Sequence, residues 1–429
     1  MREIGLGLLG FGTVGTGVVE GLQRNGALLS ARLGARPVLR AVADLDTASD
    51  RGVALDRGLL TRDAAAVVAD PAVDVVIELI GGTGAARELI GDALKRGKPV
   101  VTANKALLAE YPEEIFGLAA ETGTDLYYGA SVGGGIPIIR ALREGLVANR
   151  VDQVLAILNG TCNFILTEME SSGLSFEEAL AAARTRGYAE AEPSLDIDGH
   201  DTAHKAALLA SLACGSLVGS RAVPVEGIRR LALADIRNAL DLGYRIKLLA
   251  VIKLAGDRLE VRVHPTLVPL DHVLASVSGV YNGVVVEGDL VGRTLFYGRG
   301  AGRNPTASTV LGDVADVVRN LVSGSVGRIP GVGTGAAPEA VSPADSRSRY
   351  YFRLTLADRP GVLAKIASTF GRRDISIASA LQKGGHEEGY VPVVFVTHEA
   401  SGRNVEQALA EIRGLDVVGA EPVAIRIEG

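Results

Sequence analysis

The stretch Glu3-Ile4-Gly5-Leu6-Gly7-Leu8-Leu9-Gly10-Phe11-Gly12-Thr13-Val14-Gly15 decides the fold of this chain. Residues 3–9 are an apolar run typical of a buried strand. The turn that follows has the spacing GxGxxG and leads into a helix-like run over 13–24. In this context the first glycine permits the tight turn, the second admits a pyrophosphate, and the third packs the helix on the strand. We therefore predict a dinucleotide-binding turn made of Gly10, Phe11, Gly12, Thr13, Val14 and Gly15.

Alternating strands and helices continue from this turn to about residue 130. The pattern predicts strands at 37–43, 73–79 and 99–102 and helices at 85–96 and 106–121. Such alternation indicates parallel βαβ units, and uninterrupted Val, Ile and Leu runs indicate strands that are covered on both faces. We expect an α/β fold that begins with a Rossmann-type doubly wound sheet.

The pattern changes after residue 130 and again near residue 323. The intermediate region predicts an α+β domain with strands at 151–158, 248–254 and 259–264 and helices near 161–172, 175–186 and 200–214. Residues 323–349 are rich in Gly, Pro, Ser and Ala, which predicts a linker. The rest of the chain predicts strand 350–356, helix 361–373, strand 375–381, strand 391–397, helix 402–413 and strand 416–427. This βαββαβ order is the ferredoxin-like arrangement.

Composition excludes several classes of protein. The net charge of -6, from 44 basic and 50 acidic residues, argues against nucleic-acid binding by bulk electrostatics. Two cysteines, Cys162 and Cys214, cannot build a disulfide framework, so we expect a reducing cytoplasm. The uncharged stretches at 4–19 and 206–220 predict neither a signal peptide nor a membrane span.

The second strand ends in Ala43-Asp44-Leu45-Asp46, where a dinucleotide fold meets the adenosine ribose. A carboxylate at Asp44 accepts hydrogen bonds from a 2′-hydroxyl and repels a 2′-phosphate. No Arg or Lys lies between Arg40 and Arg51, so the sequence favours NAD over NADP, although Arg51 or Arg57 could fold back.

Two lysines are distinctive, because only eight of the 44 basic residues are lysines. Lys105 follows the fourth strand, at the carboxyl edge of the sheet where open α/β folds bind ligands. Lys205 lies four residues after Asp201, so the two share one helix face, and Glu190 lies upstream. An ammonium group held near carboxylates can orient an amine, polarise a carbonyl or pass a proton. The alternative is a solvated ion pair, which the apolar run over 206–214 disfavours.

Two other patterns are better explained by structural roles than by a metal site or a nucleophile. His200 and His204 have the i,i+4 spacing of some zinc sites, but no third ligand is evident, so we expect ordinary histidines. Cys162 lies in Asn159-Gly160-Thr161-Cys162-Asn163, where a small buried residue at a helix start is favoured over a nucleophile.

Taken together, the motifs resemble homoserine dehydrogenases of the long form, which carry a C-terminal ACT domain. The resemblance covers essentially the whole chain and rests on GFGTVG (10–15), GKPVVTANKALL (97–108), SVGGGIP (131–137), LNGTCNFIL (158–166), GYAEAEPSLDIDGHDTAHKAALLA (187–210) and GRGAGRNPTAS (298–308). This family reduces L-aspartate 4-semialdehyde to L-homoserine with NADH or NADPH, on the branch leading to threonine, methionine and isoleucine.

The resemblance implies a domain plan and a set of site residues. It implies a dinucleotide-binding domain at 1–130 with 300–322 packed back onto it, a substrate-binding and dimerisation domain at 131–300, a linker at 323–349 and an ACT regulatory domain at 350–429. Lys105 and Lys205 match the two family lysines at the reacting carbonyl, and Asp201 matches the acid beside the catalytic lysine. We hypothesise that Lys205 is the main proton donor and that Lys105 polarises and orients the carbonyl. The implied substrate-binding residues are Glu190, Asp196, Gly160 and Thr161. The cofactor residues beyond the turn are Asp44, Gly81, Thr102, Ala103, Asn104, Lys105 and Gly302.

One departure concerns a monovalent cation that family members bind near the substrate domain. The resemblance implies backbone carbonyls of Val132, Gly134 and Ile136 as ligands, completed by a Glu just before Ala-Ser-Val-Gly. Gly129 stands at that position here, which puts the implied cation site in question.

The C-terminal region resembles an ACT domain through the segment Asp358-Arg359-Pro360-Gly361-Val362-Leu363. Exposed N–H groups at a helix start can meet an amino acid's carboxylate, and the implied effector is threonine. The implied effector residues are Asp358, Pro360, Gly361 and Val362. A purely structural dimerisation module is the alternative. We also expect a homodimer or homotetramer.

Other hypotheses stay open at this point. The glycine turn could serve packing alone. The chain could be another amino-acid-linked dehydrogenase, which would not need the 187–210 segment. It could also be a non-catalytic, amino-acid-sensing nucleotide-binding protein, which would not need Lys105, Lys205 and Glu190.

Overall fold

The computed structural model describes residues 1–329, 332–333, 338–382 and 389–429. Its first part is a six-stranded parallel sheet in the order β3-β2-β1-β4-β5-β6. The elements are β1 (Arg2–Leu9), α1 (Thr13–Leu33), β2 (Ala35–Ala43), β3 (Leu60–Thr61), α2 (Ala64–Ala69), β4 (Val75–Glu78), α3 (Ala85–Lys95), β5 (Val100–Thr102), α4 (Lys105–Glu110), α5 (Pro112–Thr122) and β6 (Leu126–Tyr127). Strand β4 is buried throughout, because helices cover both faces of the sheet.

The second part places helices on a mixed sheet and returns to the first part. Its elements are α6 (Ile138–Arg140), β7 (Val151–Ile157), α7 (Gly160–Ser172), α8 (Phe176–Thr185), α9 (Ser194–Ile197), α10 (His200–Cys214), α11 (Leu233–Asp241), β8 (Tyr244–Ala255), β9 (Arg258–Pro269), β10 (Tyr281–Gly288), β11 (Gly292–Arg299) and α12 (Arg303–Ser323). Helix α12 packs on α1 so closely that a Cβ on Gly17 would lie 2.7 Å from the Arg303 carbonyl oxygen.

The third part is built from β12 (Glu339–Ala340), β13 (Arg347–Ala357), α13 (Val362–Arg372), β14 (Ile377–Gln382), β15 (Tyr390–Thr397), β16 (Ala400–Ser401), α14 (Gly402–Arg413) and β17 (Val423–Ile427). One sheet runs through the second and third parts in the order β11-β10-β7-β8-β9-β17-β13-β15-β14. The parallel pairing of β17 with β9, which sets Arg426 beside Thr266, makes this connection.

The α/β fold class with a Rossmann-type sheet is confirmed, and several strands differ from the sequence prediction. The hairpin of β10 and β11 was missed, and β8 and β9 are longer than expected. The last strand covers only Val423–Ile427, because Val417, which pattern alone assigned to it, packs in the core from a turn. Of the expected linker, residues 330–331 and 334–337 lie outside the described residues, and β12 pairs with β9.

Candidate active site

A cleft of about 590 Å³ lies at the carboxyl edge of the parallel sheet, where it faces α7, α9 and α10. The predicted site residues that line it are Val14, Ala103, Lys105, Gly134, Gly160, Thr161, Asp196, Asp201, Lys205 and Gly302. The structure therefore brings together segments from the start, the middle and the end of the first two parts.

The two distinctive lysines meet on one carboxylate in this cleft. The Nζ atom of Lys205 donates to Oδ2 of Asp201 at 2.6 Å and to the Leu158 carbonyl at 2.8 Å. The Nζ atom of Lys105 lies 3.3 Å from Oδ1 of the same Asp201. Lys105 reaches this point because it is the first residue of α4 and follows β5 at the edge of the sheet. The Lys105 side chain is 33% exposed and that of Lys205 is 11% exposed, so Lys105 is the more solvent-accessible of the two lysines.

The electrostatics keep this cluster charged. Burial raises the pKa of Asp201, but the charges of Lys205 and Lys105 and a hydrogen bond from Asn159 outweigh it and hold the pKa well below its ordinary value. A carboxylate that stays ionised can hold both ammonium groups at fixed positions. The site thus offers two positive charges, of which Lys105 is partly open to the cleft.

Asp196 is the second carboxylate of the cleft, and no cationic side chain pairs with it within the described residues. Its oxygens accept from Nδ2 of Asn159 at 2.7 Å and from the Thr161 hydroxyl at 3.2 Å. Burial and the nearby Asp201 charge raise the pKa of Asp196. A ligand ammonium group at this position would relieve both effects.

Sequence reasoning did not single out Asn159, which organises both carboxylates. Its Oδ1 caps α7 by accepting from the Cys162 N–H at 2.8 Å, while its Nδ2 donates to Asp196 and Asp201. The available signal was its place between a buried strand and a helix start, where Asn is a preferred cap.

The dinucleotide turn has the geometry that a bound pyrophosphate requires. Gly10 has a φ of +96°, and a Cβ there would lie 2.6 Å from Leu79 backbone atoms. A Cβ on Gly15 would lie 2.1 Å from the Gly10 carbonyl oxygen, so helix α1 packs closely here. A Cβ on Gly12 would meet nothing within 4 Å, so the space in front of this residue is open to a ligand. These residues fit a dinucleotide.

At the end of β2 the acidic segment has a basic partner. Oδ2 of Asp44 accepts from the Phe11 N–H at 2.6 Å, which ties the end of β2 to the glycine turn. Arg51 does fold back: its guanidinium lies 3.0 Å from Asp46 and 3.8 Å from Asp44. Negative and positive groups therefore stand side by side at this position.

Thr102 and Asn104 lie behind the cleft wall rather than on it. The Thr102 hydroxyl donates to the buried Glu78 at 2.6 Å, and Nδ2 of Asn104 donates to the Gly82 carbonyl at 2.8 Å. Glu78, which sequence reasoning missed, also accepts from the Gly81 N–H at 2.9 Å. These contacts fix the loops after β4 and β5, between which Ala103 reaches the cleft.

Other candidates stand outside the cleft wall. Glu190 is exposed and does not line the cleft, whereas its neighbour Tyr188 does. Cys162 is buried, its Sγ donates to the Asp196 carbonyl, and burial raises its pKa, which favours the packing interpretation. Within the described residues no group of three or more His, Cys, Asp or Glu is placed to hold a metal ion.

The expected effector residues belong to the third part. Asp358, Pro360 and Gly361 are exposed in the turn between β13 and α13, and Gly361 precedes α13 with a φ of +87°. Val362 is buried beneath them. This turn is separate from the cleft.

A glycine turn on a parallel sheet, facing carboxylate-held lysines across a cleft, defines an NAD(P)-dependent oxidoreductase. Family models agree with this class. The homoserine dehydrogenase NAD-binding domain matches residues 10–129, the homoserine dehydrogenase domain matches 137–315, and the ACT domain matches 350–416.

Similar proteins cover the full chain. It is 42% identical to a homoserine dehydrogenase of Neisseria gonorrhoeae, over 100% of this chain and 99% of that protein. It is 43% identical to one of Pseudomonas aeruginosa over the same shares. A crystal structure of a homoserine dehydrogenase from Thiobacillus denitrificans matches with a TM-score of 0.94 at 43% identity, covering 100% of this chain and 99% of that one. The chain belongs to the homoserine dehydrogenase family and is an oxidoreductase. None of its described helices is long and apolar enough to cross a bilayer.

Proposed function

We propose that this chain reduces L-aspartate 4-semialdehyde to L-homoserine, with Lys205 and Lys105 acting on the aldehyde oxygen. The observation that carries the proposal is the placement of both Nζ atoms on Asp201 in the cleft, at 2.6 and 3.3 Å. When bound, NADH or NADPH supplies the hydride. As hydride adds to the aldehyde carbon, the carbonyl electron pair moves to oxygen and forms an alkoxide. That oxygen needs positive charge and one proton.

In this proposal Lys205 donates the proton and Lys105 polarises and orients the carbonyl. Lys205 is the more buried amine and is fixed by Asp201 and the Leu158 carbonyl, so its remaining N–H has a defined direction. Lys105 is more exposed and follows the strand edge that the nicotinamide half of the cofactor would face. Asp201, whose pKa is held well below its ordinary value, fixes the positions of both amines.

Asp196 is proposed to bind the substrate amine, together with Glu190. Support for Asp196 comes from its half-buried carboxylate, which lines the cleft and pairs with no cationic side chain within the described residues. Glu190 would have to approach from the exposed segment beside Tyr188 when substrate is present. Gly160 and Thr161, at the start of α7, would contact the substrate's other polar groups.

We propose that NADH is the better cofactor and that NADPH is also used. Asp44, fixed by the Phe11 N–H, suits a ribose 2′-hydroxyl, while Arg51 beside it supplies a charge for a 2′-phosphate. The other cofactor contacts are proposed at the glycine turn and at Gly81, Thr102, Ala103, Asn104, Lys105 and Gly302.

The domain plan remains a proposal: cofactor binding in 1–130 with 300–322, substrate binding and dimerisation in 131–300, a linker at 323–349 and regulation in 350–429. We propose that threonine binds at Asp358, Pro360, Gly361 and Val362 and inhibits the enzyme. We further propose a homodimer or homotetramer in the cytoplasm. Exposed Leu295 and Tyr297 on the edge strand β11 support self-association.

The test is an NAD(P)H oxidation assay with L-aspartate 4-semialdehyde, run with each cofactor and with or without threonine. We expect turnover with both cofactors, a higher kcat/KM with NADH and inhibition by threonine. Turnover with another amino-acid semialdehyde but not with this one would contradict the proposed substrate. Nucleotide binding without turnover would instead favour a sensing protein.

A further inference from the structure

The segment 129–136 turns from the parallel sheet into the cleft, and α12 holds it. The segment is buried at Gly129, Val132, Gly134 and Ile136. The resemblance places a monovalent cation here, bound by the carbonyls of Val132, Gly134 and Ile136 and by a carboxylate at position 129. Whether this chain's own residues fit such an ion can be judged from their contacts.

Position 129 has no space for the missing carboxylate. The Gly129 N–H donates to Oδ2 of Asp313 on α12 at 2.7 Å, in a buried contact. A Cβ on Gly129 would lie 2.8 and 3.0 Å from the two Asp313 oxygens and 3.1 Å from Cγ2 of Thr309. Side chains of α12 therefore occupy the volume into which a glutamate would extend.

Two of the three implied carbonyl ligands already accept hydrogen bonds. The Gly134 carbonyl accepts from the Thr309 hydroxyl at 2.7 Å, and the Ile136 carbonyl accepts from the Ile138 N–H at 2.8 Å. A buried cation needs several oxygens that converge on it. Here Thr309 and Ile138 engage the Gly134 and Ile136 carbonyls, and the nearby carboxylate of Asp313 accepts from the Gly129 N–H. The residues present do not fit the family's ion.

We propose that Thr309 and Asp313 of α12 hold segment 129–136 in place of the ion, so that the enzyme works without a bound monovalent cation. Thr309 is then a positioning residue for the reaction. It acts through Gly134, which lines the cleft and packs so closely on the Gly300–Gly302 loop that a Cβ there would lie 2.3 Å from the Gly300 carbonyl oxygen. This inference rests on the proposed function, because its tests measure the reduction of L-aspartate 4-semialdehyde.

The first experiment titrates the purified enzyme with KCl or NaCl against choline chloride at constant ionic strength. We expect kcat and KM for L-aspartate 4-semialdehyde to change by no more than about twofold. Saturable activation by about fivefold or more would overturn the proposal. If Asp313→Asn removed that activation, Asp313 would be an ion ligand instead. An enzyme with no turnover in any salt would contradict the proposed function, not this inference.

The second experiment compares Thr309→Val, which removes the hydroxyl at nearly constant shape, with Thr309→Ser, which keeps it. We expect Val to raise KM for the semialdehyde by about 5- to 20-fold, because the Gly134 contact is lost, and Ser to stay within about twofold. KCl should not rescue the Val variant, since in this proposal segment 129–136 binds no ion. Thermal unfolding and NADH binding show that both variants fold. Equal kinetics for Val and Ser, or rescue of Val by KCl, would overturn the positioning role.

Discussion

The buried carboxylates of Asp201 and Glu428 each hold two cationic side chains, and the surroundings of the two groups differ. Asp201 holds the two cleft lysines beside an open cavity. Glu428, just after β17, holds Arg262 and Lys253 where β9 meets β17. The charge pattern is nearly the same in both places.

The difference lies in whether the cation's donors are satisfied by the protein. Arg262 is 2% exposed, and its N–H groups reach His264, Ser346 and Ser348 as well as Glu428. These contacts engage the Arg262 guanidinium with the protein, so that cluster ties the second and third parts together. In the cleft, by contrast, the amines border the cavity. A charge cluster can therefore take part in a reaction when some of its hydrogen-bond donors face a space that a substrate can enter.

The largest expected effect separates the two clusters by rate. Lys205→Ala should lower kcat by about 10³-fold or more, because the alkoxide loses its proton donor and a positive charge. NADH binding should persist, since the glycine turn is untouched. Lys253→Ala at the junction is the matched control and should keep kcat within about threefold. Steady-state kinetics and NADH fluorescence titration measure both, and near-normal turnover of Lys205→Ala would refute its role.

The complementary change separates the clusters by stability. Arg262→Met should lower the free energy of unfolding by about 3–5 kcal/mol, because Glu428 is left buried with one cation fewer. Urea unfolding gives this value. If unfolding were unchanged, the junction cluster would not be the structural tie described above.

Within the cleft, Asp196→Asn should act on binding more than on chemistry. We expect KM for L-aspartate 4-semialdehyde to rise by about 10- to 100-fold with a smaller change in kcat, because the substrate amine loses its carboxylate. A semialdehyde without the amine serves as the control substrate, for which Asn and Asp enzymes should perform alike. Equal losses on both substrates would argue against amine binding.

Arg51→Ala should have a smaller and selective effect. The kcat/KM with NADPH should fall by about tenfold, while the value with NADH should change by no more than about twofold, because only the 2′-phosphate needs the guanidinium. Parallel assays with the two cofactors measure the ratio. A matching loss with NADH would mean that Arg51 merely orders the 44–51 loop.

The smallest effect concerns pH at the junction. Burial and the Arg262 charge lower the pKa of His264 well below its ordinary 6.5. Below about pH 6.5 the unfolded state protonates His264, whereas the folded state keeps the imidazole neutral. The free energy of unfolding therefore decreases as the pH drops below about 6.5, and this histidine does not affect it above that pH. Urea unfolding of wild type and His264→Gln at several pH values should show a shallower acid loss for Gln. Identical slopes would exclude His264 as the source.

The sequence predicted residues that a motif or a spacing marks. Lys105 follows a predicted strand at the sheet edge, and Asp201 and Lys205 share a helix face, so the sequence marks all three as candidate site residues. Only the structure shows that Lys105 meets Asp201. Asn159 was missed because its place at a helix start indicates only an N-cap, and its bridging of two distant carboxylates has no local signature. The pairing of β9 with β17 was also missed, since parallel strands so far apart in the chain leave no pattern that identifies each other.

The most direct test of the central claim is a crystal structure with an oxidised nicotinamide cofactor and L-homoserine. We expect Nζ of Lys205 within about 3.2 Å of the substrate hydroxyl, with Nζ of Lys105 on the same side and the nicotinamide C4 facing the reacting carbon. A complex in which either amine lies more than about 6 Å from that hydroxyl would contradict it.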